Sequence, residues 1–136
     1  MKKKPRAKYS TLQTKADTLM SRYIRQKFAD SSGYVKCVSC SRSFGWQETD
    51  CGHFISRRHI GTRWVEENCA PECMGCNRFS ADHMIGYTEW FIDTYGRDKI
   101  QELRMEAKKS LSPTQKRILA ESAIEYYGGK LKEMGE

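Results

Sequence analysis

Two Cys-x-x-Cys turns, Cys37-Val38-Ser39-Cys40 and Cys73-Met74-Gly75-Cys76, constrain this chain more than any other feature of it. Two thiolates on one tight turn reach the same ion, and a second such turn completes a tetrahedral four-sulfur zinc site. Cysteines that are merely small buried residues need no such paired spacing, and a redox dithiol calls for a βαβ pattern that neither pair has. A structural Zn2+ on Cys37, Cys40, Cys73 and Cys76 is therefore expected. It would close a loop over the thirty-two intervening residues, 41–72, more than a compact zinc ribbon with a short hairpin needs. Cys51 and Cys69 have no partner at ligand spacing within the two turns. They read as small apolar filler beside the metal, with Cys69 an alternative ligand to Cys73.

At 136 residues the chain is sized for a single domain, residues 1–136, with a modest core that a structural metal or a partner subunit would help. The sequence has no apolar run near ~18 residues, and MKKKPRAKYS lacks the apolar stretch of a signal peptide. The expectation is a soluble cytoplasmic protein with no membrane partner, in a reducing compartment that disfavours disulfides. Lys and Arg number 24 against 17 Asp and Glu, a net charge of +7. Solubility alone accounts for part of that excess; a polyanionic partner, nucleic acid above all, accounts for the rest.

Residues 1–10 read as a basic mobile arm. Over residues 11–30, Leu12, Ala16, Leu19, Met20, Tyr23, Ile24 and Phe28 recur at helical spacing, opposite Lys15, Arg22, Arg25 and Lys27. Asp30 to Gly33 closes this amphipathic helix, and a short strand begins at Tyr34. Residues 34–83 hold all six cysteines and form the expected zinc-clipped core. Residues 84–128 return to helix, with Gly96 as a stop and with Ser112, Pro113 and Gln115 as a start signal before a final helix that Gly128-Gly129 should end. The fold class expected is α+β, mainly helical around a central zinc-stabilised unit.

Within the core, Phe44 to Trp46 and Cys51 to Ile55 have strand character. Asp50 and His53 fall on or beside the second of these, and zinc on Cys76 would bring Asn77 close to them. A carboxylate and an amide oxygen are hard ligands suited to Mg2+ or Mn2+, and an imidazole of ordinary pKa ~6.5 takes a proton from water near neutrality. This arrangement suits hydrolysis of a phosphodiester. Arg57, Arg58, Arg63 and Arg78 suit bidentate contact with phosphate oxygens, or else form a solvated charge cluster. His59, lying among them, is read as a phosphate contact or loop residue. His83 is read as a cap or surface residue rather than a further metal ligand. Trp64 and Phe79 are expected in the core rather than as stacking partners for bases, and Glu66 and Glu67 solvate the turn before Asn68 or one of them assists at the metal.

The succession CVSC, GH and CMGCN resembles the zinc-clipped branch of the HNH, or ββα-metal, endonucleases, of which phage endonuclease VII is one. DCGHFISRRHIGTRWVEENCAPECMGCNRF and the following YTEWFIDTYGRDKIQEL resemble the phage NinG family, recombination proteins of lambdoid phages that include the Holliday-junction nuclease Rap. The resemblance is strong over about residues 35–105 and implies a ββα-metal unit at the centre of the fold. It implies that His53 is the general base, Asn77 a metal ligand and Asn68 the asparagine that braces the loop across the motif. One position departs from the pattern: where endonuclease VII-like sites have a metal-binding aspartate directly before the histidine, this chain has Gly52, and its aspartate is Asp50. Asp50 is the expected ligand of Mg2+ or Mn2+, with His53 the alternative should another group act as base.

The implied function is a Mg2+-dependent, structure-selective endodeoxyribonuclease that cuts Holliday junctions or other branched DNA, in the host cytoplasm if phage-encoded. Twofold pairing as a homodimer would supply two opposed cuts. The alternative is a zinc-dependent DNA-binding or architectural recombination protein without catalysis.

Overall fold

The structure is a computed structural model that describes residues 5–136; the first four residues of the expected basic arm lie outside the described residues. The amphipathic pattern forms helix α1, Tyr9–Lys27. Its Ala16, Met20 and Ile24 are almost fully buried, and Leu12, Leu19, Tyr23 and Phe28 pack around them. The helix ends at a turn in which the Asp30 carboxylate accepts from the backbone N–H groups of Ser32 and Tyr34, while Gly33 takes a left-handed φ of 82°.

From that turn β1 (Tyr34–Lys36) runs antiparallel to β2 (Ser43–Gly45), and the first cysteine pair sits on the bend between them. A second antiparallel pair follows: β3 (Thr49–His53) with β4 (Cys69–Cys73), Thr49 opposite Cys73 and His53 opposite Cys69. Between these two strands the chain makes a loop carrying the one-turn helix α2, Ile60–Arg63. Strand β4 has no counterpart in the sequence pattern, because all five of its residues are buried and nothing alternates. The cause is that both faces of the hairpin are covered. Cys69 belongs to a core with α1, Trp64 and the last helix; the next residue, Ala70, belongs to a second core with Val38, Tyr87, Phe91 and Leu103.

Three helices complete the chain: α3 (His83–Tyr95), α4 (Arg97–Ala107) and α5 (Pro113–Glu133). Ser112 caps α5 reciprocally, its hydroxyl accepting from Gln115 N–H at 3.1 Å while its own N–H donates to the Gln115 side chain at 2.8 Å. The helix runs through Gly128-Gly129 and on to Glu133, beyond the expected stop at 128. Each glycine costs a helix about 1 kcal/mol, which burial of Tyr127 and Leu131 on either side offsets. The final residues are tied down as well, since the Glu136 carboxylate accepts from Arg22 and Gln26 of α1. No helix among the described residues is long and apolar enough to cross a membrane.

The two cysteine turns join the hairpins. The four sulfur atoms of Cys37, Cys40, Cys73 and Cys76 lie within 4.8 Å of one another, and Cys40 Sγ is 3.9 Å from Cys73 Sγ. A tetrahedron with Zn–S bonds of about 2.3 Å has edges of about 3.8 Å, so these four cysteines could hold a structural metal such as zinc. Burial works against a charged Cys40 thiolate, but hydrogen bonds from the Arg42 side chain and backbone and from the neighbouring Cys37 and Cys76 together outweigh it and bring the thiol down to about 6. Beside the cluster, Val38 N–H donates to the Pro71 carbonyl at 3.1 Å, which fastens the first turn to β4 at a residue that has no N–H to offer the ladder. Cys69 is not among the four: its sulfur lies 3.9 Å from Met20 Sδ, in the core against α1.

Two outcomes follow from this architecture. Cys40→Ser and Cys73→Ser should each abolish stoichiometric zinc binding and lose native circular dichroism, whereas Cys69→Ala should retain zinc, as metal analysis of the purified variants would report. A Cβ at Gly86 would stand 2.0 Å from the Ser39 carbonyl oxygen, whereas one at Gly129 meets nothing within 4 Å. Gly86→Ala should therefore cost about 1–3 kcal/mol or more by prising α3 off the first cysteine turn. Gly129→Ala should gain about 0.5–1 kcal/mol, with both glycine variants measured by urea titration.

Candidate functional site

Strand β3 pairs with β4 along one edge, and its other edge opens on a cleft whose far wall is α1. Asp17, Arg22 and Arg25 line it from α1; Asp50, Cys51 and His53 from β3; Arg57 from the following loop; and Asn77 and Arg78 from the single turn Gly75–Phe79. The fold brings Asp50, His53 and Asn77 to one place because the β3–β4 register sets Thr49 opposite Cys73. Cys73 and Cys76 then hold the next turn against the start of β3, and Asn77 follows directly.

Asp50 accepts three side-chain hydrogen bonds in the cleft. Arg78 grips its carboxylate in bidentate fashion, with both hydrogen bonds at 2.8 Å, and Asn77 Nδ2 donates to the same Oδ2 at 3.0 Å. Burial disfavours the charged carboxylate, yet the Arg78 bonds, and after them that of Asn77, hold it below the usual carboxylate range. Because a carboxylate only accepts, the amide nitrogen must face Asp50. Asn77 Oδ1 is left as an acceptor.

His53 is held by its ring nitrogen Nε2, 2.9 Å from the Arg63 carbonyl oxygen. A carbonyl cannot donate, so Nε2 carries the proton in the neutral ring and Nδ1 has the lone pair. Burial pushes the imidazole below its ordinary value, opposed by the bond to the Arg63 carbonyl and assisted by the Arg63 charge. The carbonyl is itself fixed from α1. Asp17 accepts two bonds from the Arg63 guanidinium, at 2.9 and 2.6 Å, and a third from Trp64 Nε1 at 2.9 Å. Asp17 thus positions the residue that positions His53, a role the sequence does not signal because the two lie in different elements.

The loop behind the cleft is spanned by Asn68, which is fully buried. Its amide nitrogen donates to the carbonyls of Ile55 and Thr62, and its oxygen accepts from Ile55 N–H at 2.8 Å. Gly52 has a local explanation too. A Cβ there would sit 2.1 Å from the Glu72 carboxylate, which is fully buried and bonded through Oε2 to the Ser39 hydroxyl and His83 Nδ1. His83 therefore holds a buried acid in place, and Glu72 Oε1 has no hydrogen-bond partner among the described residues.

The arginines divide. Arg57 and Arg78 line the cleft and Arg58 is exposed beside it, with His59 at the start of α2. Arg63 is corrected: 8% exposed and committed to Asp17 and the Arg57 carbonyl, it is a brace of the loop rather than a phosphate contact. Arg22 and Arg25, read from the sequence as the outer face of a helix, are cleft residues instead. Phe79 is corrected as well, for its ring is 84% exposed where a core position was expected, whereas Trp64 is buried.

With four arginines against two aspartates, the lining is cationic around an ionised carboxylate, an amide oxygen and a neutral imidazole. No curated protein and no solved structure matches this chain. A family model described as Bacteriophage Lambda NinG protein matches residues 1–135, and the chain belongs to the NinG family.

Proposed function

We propose that the chain is a metal-dependent endonuclease of phage recombination with an HNH-like site, cutting branched DNA. The observation that carries the proposal is that Asp50, His53 and Asn77 line one cationic cleft, with Asn77 set there by the cysteine cluster. Membership in a phage family and the resemblance to zinc-clipped HNH enzymes support the choice of substrate; the cleft itself supports phosphodiester chemistry.

In this reading His53 Nδ1 accepts a proton from a water molecule that attacks phosphorus in line, while the Arg63 carbonyl holds the ring in the required tautomer. Asp50 and Asn77 Oδ1 would hold Mg2+ or Mn2+, and their donor chemistry fits: an ionised carboxylate and a neutral amide oxygen, both hard. Such a cation supplies Lewis acidity toward the phosphoryl oxygen and the departing 3′ oxygen. Arg78 now covers both Asp50 oxygens. A DNA phosphate offers its guanidinium an equivalent bidentate partner, and transfer of Arg78 to phosphate would expose the carboxylate. The same ion pair favours the second reading, a DNA-binding protein in which Arg78 keeps Asp50 occupied and no cleavage occurs.

Cleavage of a four-way junction with Mg2+ distinguishes the two, after zinc content and fold are verified for each variant. His53→Ala should cut about 10²–10⁴-fold more slowly than wild type. Asn77→Ala should keep its zinc and lose Mg2+-dependent cutting. Equal cutting by wild type and His53→Ala removes His53 from the mechanism, and an inactive wild type that binds the junction establishes the second reading. A general base acts in its neutral form, and burial lowers the pKa of His53. The rate should therefore rise with pH through a value below ~6.5 and be flat above neutrality. A rate still climbing through pH 8 identifies a different base.

A further inference from the structure

We propose that Phe79 is a base-stacking residue that selects DNA with an unpaired base beside the scissile position, an inference that rests on the DNA-binding reading above. At 84% exposure its ring is the most exposed large apolar side chain among the described residues. It ends the turn Gly75–Phe79, which supplies Cys76 to the cysteine cluster and Asn77 and Arg78 to the cleft, and which closes with Ser80 N–H donating to the Gly75 carbonyl at 3.1 Å. The ring is thus mounted on a short anchored segment, one residue from an arginine of the cleft and two from the proposed metal ligand.

Charge decides what covers it. The cleft that Asn77 and Arg78 of the same turn line also carries Arg22, Arg25 and Arg57 against two aspartates, so an occupant spanning the turn must bring negative charge as well as an apolar face. A nucleic acid brings both within one nucleotide: phosphate for the arginines and a π-face for the ring. In an intact duplex each base face is covered by its neighbours, whereas a base at a branch, gap or bulge has a face to offer. Phe79 therefore supplies a discrimination between branched and linear DNA that Asp50, His53 and Asn77, contacting only the phosphodiester, do not.

The test is fluorescence anisotropy without added divalent cations, so that cutting plays no part. Wild type, Phe79→Ala, Phe79→Leu and Phe79→Tyr, each checked for zinc content, are titrated with a linear duplex and with the same duplex carrying three unpaired thymines. Wild type should bind the second DNA more tightly. Phe79→Ala and Phe79→Leu should lose about tenfold or more on it and nothing on the linear duplex, while Phe79→Tyr keeps wild-type affinity for both. Permanganate reactivity of the unpaired thymines should fall on binding of wild type but not of Phe79→Ala. The proposal is overturned if Phe79→Ala loses nothing, if it loses equally on both DNAs, or if Phe79→Leu matches wild type. A wild-type protein that binds neither DNA overturns the underlying DNA-binding reading, and this inference with it.

Discussion

The structure depends on four sulfur atoms brought within 4.8 Å of one another. Two of them come from the bend between β1 and β2 and two from the end of β4 and the turn beyond it, so a single cluster ties together segments more than thirty residues apart. Four thiolates at that separation repel one another and are held together by a cation or lose their charge. Everything the cleft requires of the Gly75–Phe79 turn follows from this constraint. Without it, the turn carrying Asn77 and Arg78 would lose its sulfur anchor to the bend between β1 and β2.

The β3–β4 hairpin is the second organising element, and it shows where reading from the sequence works. Helix α1 was legible because one stripe is buried and the opposite side is solvated, and the start of α5 because a capping box is a local arrangement. The cysteine spacing was legible for a similar reason: ligands of one ion must recur on tight turns. Strand β4 was not, since α1 covers one of its faces and α3 the other, and a strand buried on both faces has no period to detect. The continuation of α5 through two glycines was hidden too, because the gain comes from burial of Tyr127 and Leu131, with Tyr127 packed on Tyr23 of α1, far away in sequence.

The cleft divides along the same line. Asp50, His53 and Asn77, which line one cleft, were legible as a group because a short strand and a cysteine turn fix their relative positions. The fate of Arg63 was not, because its bonds to Asp17 cross from the loop to α1, and an arginine beside other arginines reads equally well as a ligand for phosphate. The arginines of α1 were visible as a basic face, but only the packing of the helix across β3 makes that face a wall of the site. The same packing links His53 to Asp17 through a backbone carbonyl, a connection with no signature in residue type.

Gly52 and Glu72 carry a final consequence. The carboxylate of Glu72 fills the volume that a side chain at residue 52 would need, and their strands are paired, so the two positions form a single steric unit spread over both halves of the hairpin. A chain of this architecture has room for one acid there, and that acid is attached to either strand but not to both. An aspartate directly before the histidine and a glutamate at residue 72 are thus mutually exclusive solutions. A change from one to the other requires two coordinated substitutions, and each intermediate either crowds the hairpin or leaves His83 and Ser39 facing an empty space.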